Sequence, residues 1–223
     1  MTTEKTRLSR DIIAARIAHE FQDGWIVNLG VGMPTMCSDF VPRDREIILH
    51  SENGVIGYGR NATVEEAGPY IVNAGVFPVL LEPYACIVHH ADAFGVIRRG
   101  MLDVGVLGAY EVAANGDFAN WKTAGRKGGG IGGAMDIAVS AQRIFIMMEH
   151  TTREGAPRLL KTCTLPLTAA GVVKLVMTDL GLFEPKGDHF LMHEMAHGFT
   201  LEEVQALTGA PVVAAPGLKE VTV

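Results

Sequence analysis

Cysteine is scarce in this sequence of 223 residues: Cys37, Cys86 and Cys163 are odd in number and widely spaced, with no C-x-x-C. That argues against a disulfide framework and a zinc ribbon, and fits reduced thiols in a cytoplasmic protein. Positive charge is also short. Nineteen Lys and Arg stand against 25 Asp and Glu, a formal net charge of −6, and no basic run offsets it. A nucleic-acid surface needs a lysine and arginine excess on one face, so no nucleic-acid partner is expected. Missing too is any apolar stretch near the ~18 uninterrupted residues of a membrane span. The N-terminal run Met1-Thr2-Thr3-Glu4-Lys5-Thr6-Arg7 lacks the apolar core of a signal peptide. The expectation is a soluble, intracellular chain with no membrane partner. With no linker, repeat or low-complexity tract, residues 1–223 read as a single domain, and 48% hydrophobic content suffices for its core.

What is present reads as alternating elements. Ser9 is an N-cap candidate for a helix whose apolar face runs through Ile12, Ile13, Ile17 and Phe21 to a stop at Asp23-Gly24. Residues 25–29 read as a buried strand. Gly30-x-Gly32 and Pro34 then open a short helix ending near Phe40. Residues 47–49 form the next strand, so Glu52 sits just beyond a strand end. Further strands are expected at 79–81, 104–107 and 144–148, between helices at 92–98 and 133–141. After Pro157 come longer strand-like segments, 174–183 and 189–196, joined through the turn residues 185–188 as an antiparallel edge hairpin. Thr200 and Glu203 make a capping box for a last helix, closed by Gly209 and a strand at 211–214. The class is α/β, with an open, largely parallel sheet and helices on both faces.

Two glycine clusters invite a ligand reading. Gly30-Val31-Gly32-Met33-Pro34-Thr35 lacks the third glycine of a dinucleotide fingerprint and the Gly-Lys-Ser/Thr of a P-loop; a tight strand-to-helix turn is the better reading from spacing. Gly128-Gly129-Gly130-Ile131-Gly132-Gly133 is harder to dismiss, because five glycines in six lose backbone entropy on ordering and leave nothing to pack. Either the run is a flexible surface loop, or something approaches its backbone, as in an oxyanion hole at a helix start.

His193-Glu194-Met195-Ala196-His197 matches H-E-x-x-H, which binds zinc only when both histidines share a helical face. Gly198 and the capping Thr200 leave that helix no room, and the preceding residues read as strand. No metal is therefore expected. His89, His90 and His150 lie near strand ends without ligand spacing and are read as rim residues. For Ser51-Glu52-Asn53-Gly54 the plain reading is a strand-end turn in which Asn53-Gly54 supplies positive φ. The residues by themselves leave that choice open.

The run Leu49-His50-Ser51-Glu52-Asn53-Gly54-Val55-Ile56-Gly57 resembles the signature of the second, or beta, subunit of 3-oxoacid CoA-transferases. That group includes the succinyl-CoA:3-ketoacid, 3-oxoadipate and acetate/acetoacetate enzymes. The resemblance continues through residues 27–35, 114–121, 132–136, 148–150 and 163–168, and so covers most of the chain. It implies a CoA-transferase fold of the NagB/RpiA-like kind, with Glu52 as nucleophile and a ping-pong reaction through a glutamyl-CoA thioester.

By the same resemblance, backbone N–H groups of Gly132, Gly133 and Ala134 are oxyanion candidates. Asn28, with Gly30 and Gly32, is expected at the CoA cleft, and Ser51, Asn53 and Gly54 support the nucleophile. An unperturbed glutamate, with a pKa of about 4.3, is ionised at neutral pH and needs no general base. Apart from the resemblance, Lys122, Arg126 and Lys127 lie just before the glycine cluster and read either as cations for the phosphates of CoA or as a solvated basic loop. No cofactor is expected to be permanently bound, since CoA is a substrate. The implied partner is the first, or alpha, chain of a CoA-transferase, in a heterotetramer of two alpha and two beta chains. The competing reading is a non-catalytic acyl-CoA or sugar-phosphate binding module of the same fold.

Overall fold

The computed structural model describes residues 5–123 and 128–223. The chain divides into two compact units: Ala14–Gly108 with Gly133–Ile144, and Met1–Ile13 with Ala109–Gly132 and Phe145–Val223. In chain order the elements are α1 (Arg10–Ala18), β1 (Ile26–Leu29), a 3-10 helix (Met33–Phe40), β2 (Ile48–His50), β3 (Val55–Asn61), β4 (Val79–Ile87), α2 (His90–Arg98), β5 (Val104–Gly108), β6 (Glu111–Ala113) and β7 (Phe118–Ala119). They continue with α3 (Ala134–Ser140), β8 (Ile144–Met147), β9 (Leu159–Leu160), β10 (Val173–Thr178), β11 (Gly181–Pro185), β12 (Phe190–Met195), α4 (Leu201–Ala206) and β13 (Val212–Glu220).

Ser9 caps α1 as expected, its Oγ accepting the Ile12 N–H at 3.3 Å. The helix ends sooner than the apolar pattern does. Glu20 and Phe21 donate to Ile17 and Ala18, three residues back, and Phe21 is fully buried as the tail of a tightened turn.

The unit holding 14–108 and 133–144 is built on strands in the order β5-β1-β2-β3-β4. β1 runs parallel to both β5 and β2, with Asn28 opposite His50 on one side and Gly105 on the other. The carboxyl ends of these three strands therefore point one way. β2 then turns back antiparallel into β3, with an irregularity between Leu49 and His50. β4 continues the antiparallel side. Residues 51–54 are the hairpin tip: Ser51 N–H donates to the Val55 carbonyl at 2.9 Å, and Gly54 N–H to that of Ser51 at 3.0 Å.

The other unit carries β13-β12-β11-β10-β8, and a small sheet β7-β6-β9. The segment expected as one strand at 174–183 is two. Asp179-Leu180 forms a tight reversal that sets Thr178 opposite Gly181, and Thr178 Oγ1 accepts the Leu180 N–H at 3.1 Å. The hairpin through 185–188 is present as β11–β12, with β13 parallel to β12 outside it. The Thr200–Glu203 capping box of α4 is present as well. Among the described residues no helix is long and apolar enough to cross a membrane.

His193 to Met195 lie in β12, the extended geometry on which the argument against a zinc helix rested. Each histidine of that region has its own carboxylate: His193 with Glu184 at 3.0 Å, His197 with Glu220 at 3.0 Å and His189 with Asp188 at 2.7 Å. His150 is fully buried and not at a rim. Its N–H donates to Asp179 at 2.7 Å, and its ring nitrogens lie 3.0 and 2.9 Å from the hydroxyls of Thr178 and Thr208. Burial pushes its pKa down to about 4, the neighbouring Asp179 opposing that shift and Arg7 adding to it.

Candidate active site

Glu52 stands at the tip of the β2–β3 hairpin, half-buried, between buried Ser51 and exposed Asn53. Gly54 supplies the positive φ that the reversal needs, at 108°; Asn53 does not share it, as Val76 is the single non-glycine with positive φ among the described residues. The side chains flanking Glu52 fasten the tip to the loop ahead of β4. Ser51 Oγ accepts the Ala74 N–H at 2.9 Å, and Asn53 Nδ2 donates to the Val72 carbonyl at 2.8 Å.

The glycine run has close neighbours at two positions. A Cβ on Gly129 would lie 2.7 Å from the Trp121 ring, and Gly130 N–H donates to the Trp121 carbonyl at 2.8 Å. A Cβ on Gly133 would overlap the Glu52 carboxylate and lie 2.9 Å from Phe94 Cζ. Gly133 is the N-cap of α3, so the start of that helix touches the glutamate. Ala134 follows as the first helical residue, while Gly132 precedes it with no neighbour near its Cβ position.

The hydrogen bonds of Asn28 go to His50. The asparagine is buried, and its Nδ2 donates to the His50 carbonyl and to His50 Nδ1, both at 3.1 Å. Because Nδ1 accepts there, His50 carries its proton on Nε2 and donates it to the Ala93 carbonyl at 3.1 Å. Desolvation lowers the pKa of this buried imidazole, and a neutral ring suits both bonds. Asn28 thus anchors β2 two residues before the glutamate. Gly30 serves packing: its N–H donates to the Val106 carbonyl at 2.8 Å, and a Cβ would press on Leu107 at 2.9 Å. Gly32, at φ 95°, starts the 3-10 helix, and Thr35 Oγ1 donates to its carbonyl at 2.7 Å.

Several residues given no role from sequence stand beside Glu52. His90 Nδ1 lies 3.0 Å from the Glu52 carbonyl, and its ring packs on Phe94 with centroids 4.8 Å apart. Burial raises the Glu52 pKa; His90 opposes the rise and Asp136 adds to it. The ordinary glutamate value expected from sequence is therefore corrected upward. From sequence, His90 had only a place at a sheet rim, Asp136 only a place in the run 132–136 and Phe94 none, because only the packing of α2 and α3 brings them to the hairpin tip.

Of the cations expected near the glycine run, Lys122 lies 6.0 Å from the Trp121 ring centroid, while Arg126 and Lys127 fall outside the described residues. A pocket of 510 Å³ in this unit is lined by Arg43, Arg45, Arg60, Glu46, Glu82 and Tyr84 among others, and Glu52 is not part of it. Among the described residues no group of three or more His, Cys, Asp or Glu is placed to hold a metal ion.

Residues 10–207 match the family model described as Coenzyme A transferase. The chain is 39% identical over 208 residues to a 3-oxoadipate CoA-transferase subunit of Acinetobacter baylyi, spanning 93% of this chain and 96% of that one. It is 38% identical over 212 residues to the mitochondrial succinyl-CoA:3-ketoacid coenzyme A transferase 2A of Rattus norvegicus, covering 94% of this chain but 41% of the rat protein. Among solved structures, the acyl-CoA transferase YdiF apoenzyme of Escherichia coli O157:H7 superposes with a TM-score of 0.74 at 21% identity, over 100% of this chain and 45% of that one. The likeness of fold agrees with the α/β transferase architecture expected from sequence.

Proposed function

Because this chain belongs to the coenzyme A transferase family, we propose that it is the nucleophile-bearing subunit of a transferase that moves CoA from an acyl-CoA donor, such as succinyl-CoA, to a 3-oxo acid, such as acetoacetate or 3-oxoadipate. The observation that carries the reading is the Glu52 carboxylate set on a hairpin tip against the backbone of Gly133.

The Glu52 carboxylate attacks the donor carbonyl, and the carbon–sulfur bond breaks to leave an acyl-glutamyl anhydride and CoA thiolate. The thiolate attacks the glutamyl carbonyl, releasing the donor acid as its carboxylate and forming a glutamyl-CoA thioester. The acceptor acid runs both steps in reverse and restores Glu52. No net proton is transferred, so no Ser-His-Asp set is called for.

Each addition builds an oxyanion, and one well-placed donor is worth roughly 3 kcal/mol of barrier. Gly132, Gly133 and Ala134 N–H groups are assigned that work, Gly133 being the residue whose Cβ position the carboxylate fills. Partial burial of Glu52 leaves it less water to shed before attack and keeps hydrolysis of the intermediates low. CoA is the substrate, and no resident cofactor enters the scheme.

The partner is a separate alpha chain, in a heterotetramer of two alpha and two beta chains. Supporting this, the bacterial relatives of matching length are named as single subunits, one of them as a beta subunit, and the chain spans 41% of the rat protein. Three free thiols, at Cys37, Cys86 and Cys163, suit a cytoplasmic enzyme.

The test is incubation of the co-expressed pair with acyl-CoA, followed by intact-protein and peptide mass spectrometry. A CoA adduct on the Glu52 peptide, absent in Glu52→Gln, is expected. Undiminished turnover by Glu52→Gln would overturn the mechanism, and full activity of this chain alone would overturn the partner.

A further inference from the structure

One ion pair joins the end of α2 to the first turn of α3, the turn whose start touches the Glu52 carboxylate. Arg98, at the end of α2, donates from Nε to Asp136 Oδ1 at 2.8 Å and from Nη2 to Oδ2 at 3.4 Å. Its guanidinium also lies over the Phe94 ring, 5.6 Å from the centroid. Both contacts lead to Glu52. Phe94 is one turn before Arg98, and its ring lies 2.9 Å from where a Cβ on Gly133 would stand; Asp136 is three residues after Gly133, on the same first turn of α3.

We propose that Arg98 and Asp136 act as a positioning pair for Glu52: the pair holds the first turn of α3, with Gly133, against the nucleophile, and Arg98 offsets the negative charge that Asp136 would otherwise turn on it. The inference rests on the reading of Glu52 as the nucleophile.

Stability does not account for the pair. The side chain of Arg98 is 65% exposed and that of Asp136 is 34% exposed, and such surface pairs contribute little to folding. Their value lies in where they sit. Among the described residues, the charged groups that act on Glu52 are His90 from α2, which favours its ionised form, and Asp136 from α3, which disfavours it. On β2, His50 has both ring nitrogens engaged and is neutral. Loss of Arg98 leaves Asp136 as an unpaired anion beside a carboxylate that must itself be ionised to react. Loss of Asp136 removes the repulsion.

The experiment is the pH profile of kcat/KM for the co-expressed enzyme with Arg98→Met, which keeps an aliphatic stem on Phe94, with Asp136→Asn and with the double variant. Arg98→Met is expected to move the acid limb to higher pH, so that activity falls by at least about threefold more on the acid side than on the plateau. Asp136→Asn is expected to move it to lower pH, the double variant should follow Asp136→Asn, and Arg98→Lys should restore the limb. Acid limbs that coincide in all four variants, whatever their plateau rates, overturn the proposal. Intact-protein mass spectrometry of each variant reports the Glu52 adduct separately: an adduct with unmoved limbs refutes the pair alone, while turnover surviving in Glu52→Gln refutes the nucleophile on which it rests.

Discussion

The Glu52 carboxylate occupies the space into which any side chain at position 133 would project. A Cβ there would overlap Oε2 and sit 3.0 Å from Cδ, with Phe94 Cζ also only 2.9 Å away. The glycine is required by its neighbour, since its own backbone, at φ −66°, is open to any residue.

Gly133→Ala is therefore expected to fold and to lose activity. The methyl group must displace Glu52 or the start of α3, and a shift of about 1 Å at a reacting group lowers rates by roughly a hundredfold. Steady-state kcat of the co-expressed pair, beside an unchanged circular dichroism spectrum, is the check. Activity within a few-fold of wild type would show that the carboxylate has another resting place.

Glu52→Gln is expected to be inactive and more stable than wild type at neutral pH. Burial raises the carboxyl pKa in the folded state above its unfolded value, so the folded protein binds that proton more tightly. The resulting penalty is absent below the unfolded pKa and complete above the folded one. The difference in melting temperature between Glu52→Gln and wild type should thus shrink as pH falls through the carboxylate range. A gap that is constant with pH would contradict the burial argument.

His150 gives an opposite dependence in the other unit. Its folded pKa lies at about 4, below the ordinary 6.5, so stability is complete above the unfolded value and is lost as pH falls through that window. The full loss amounts to about 3 kcal/mol. Denaturant unfolding along a pH series should show the decline, and His150→Gln should flatten it. An equally steep decline in the variant would assign it to carboxylates instead.

Asn28→Ala should uncouple β2 from its anchor. It strips the donor from the buried His50 carbonyl and from His50 Nδ1, and an unsatisfied buried group costs ~1–3 kcal/mol. Since His50 is two residues from Glu52, kcat is expected to fall while the KM for acyl-CoA changes little. A rise in KM with unchanged kcat would place Asn28 on the substrate instead.

Much of this site was legible in the residues, and what was hidden has a physical pattern. The caps at Ser9 and Thr200, Pro34 in the first turn of its helix, and the glutamate beyond a strand end are local features set by neighbours in the chain. β3 escaped notice because Val55–Asn61 carries two glycines and no clean alternation, and becomes a strand by pairing with β2 and β4. Asn28 was expected in the cleft, and polarity at a strand end does not reveal which neighbour its amide bonds, here His50. The contact of Glu52 with Gly133, and the approach of His90 and Asp136, join segments distant in sequence. The glycine run hinted that something came close without saying what.

Ser51 and Asn53 hold the hairpin tip from both sides of Glu52. A tip mounted this way has little backbone freedom left to surrender on the proposed binding of acyl-CoA. In the proposed reaction, the binding energy of the CoA moiety is then free to drive carbon–sulfur cleavage, and is not consumed in ordering the attacking group.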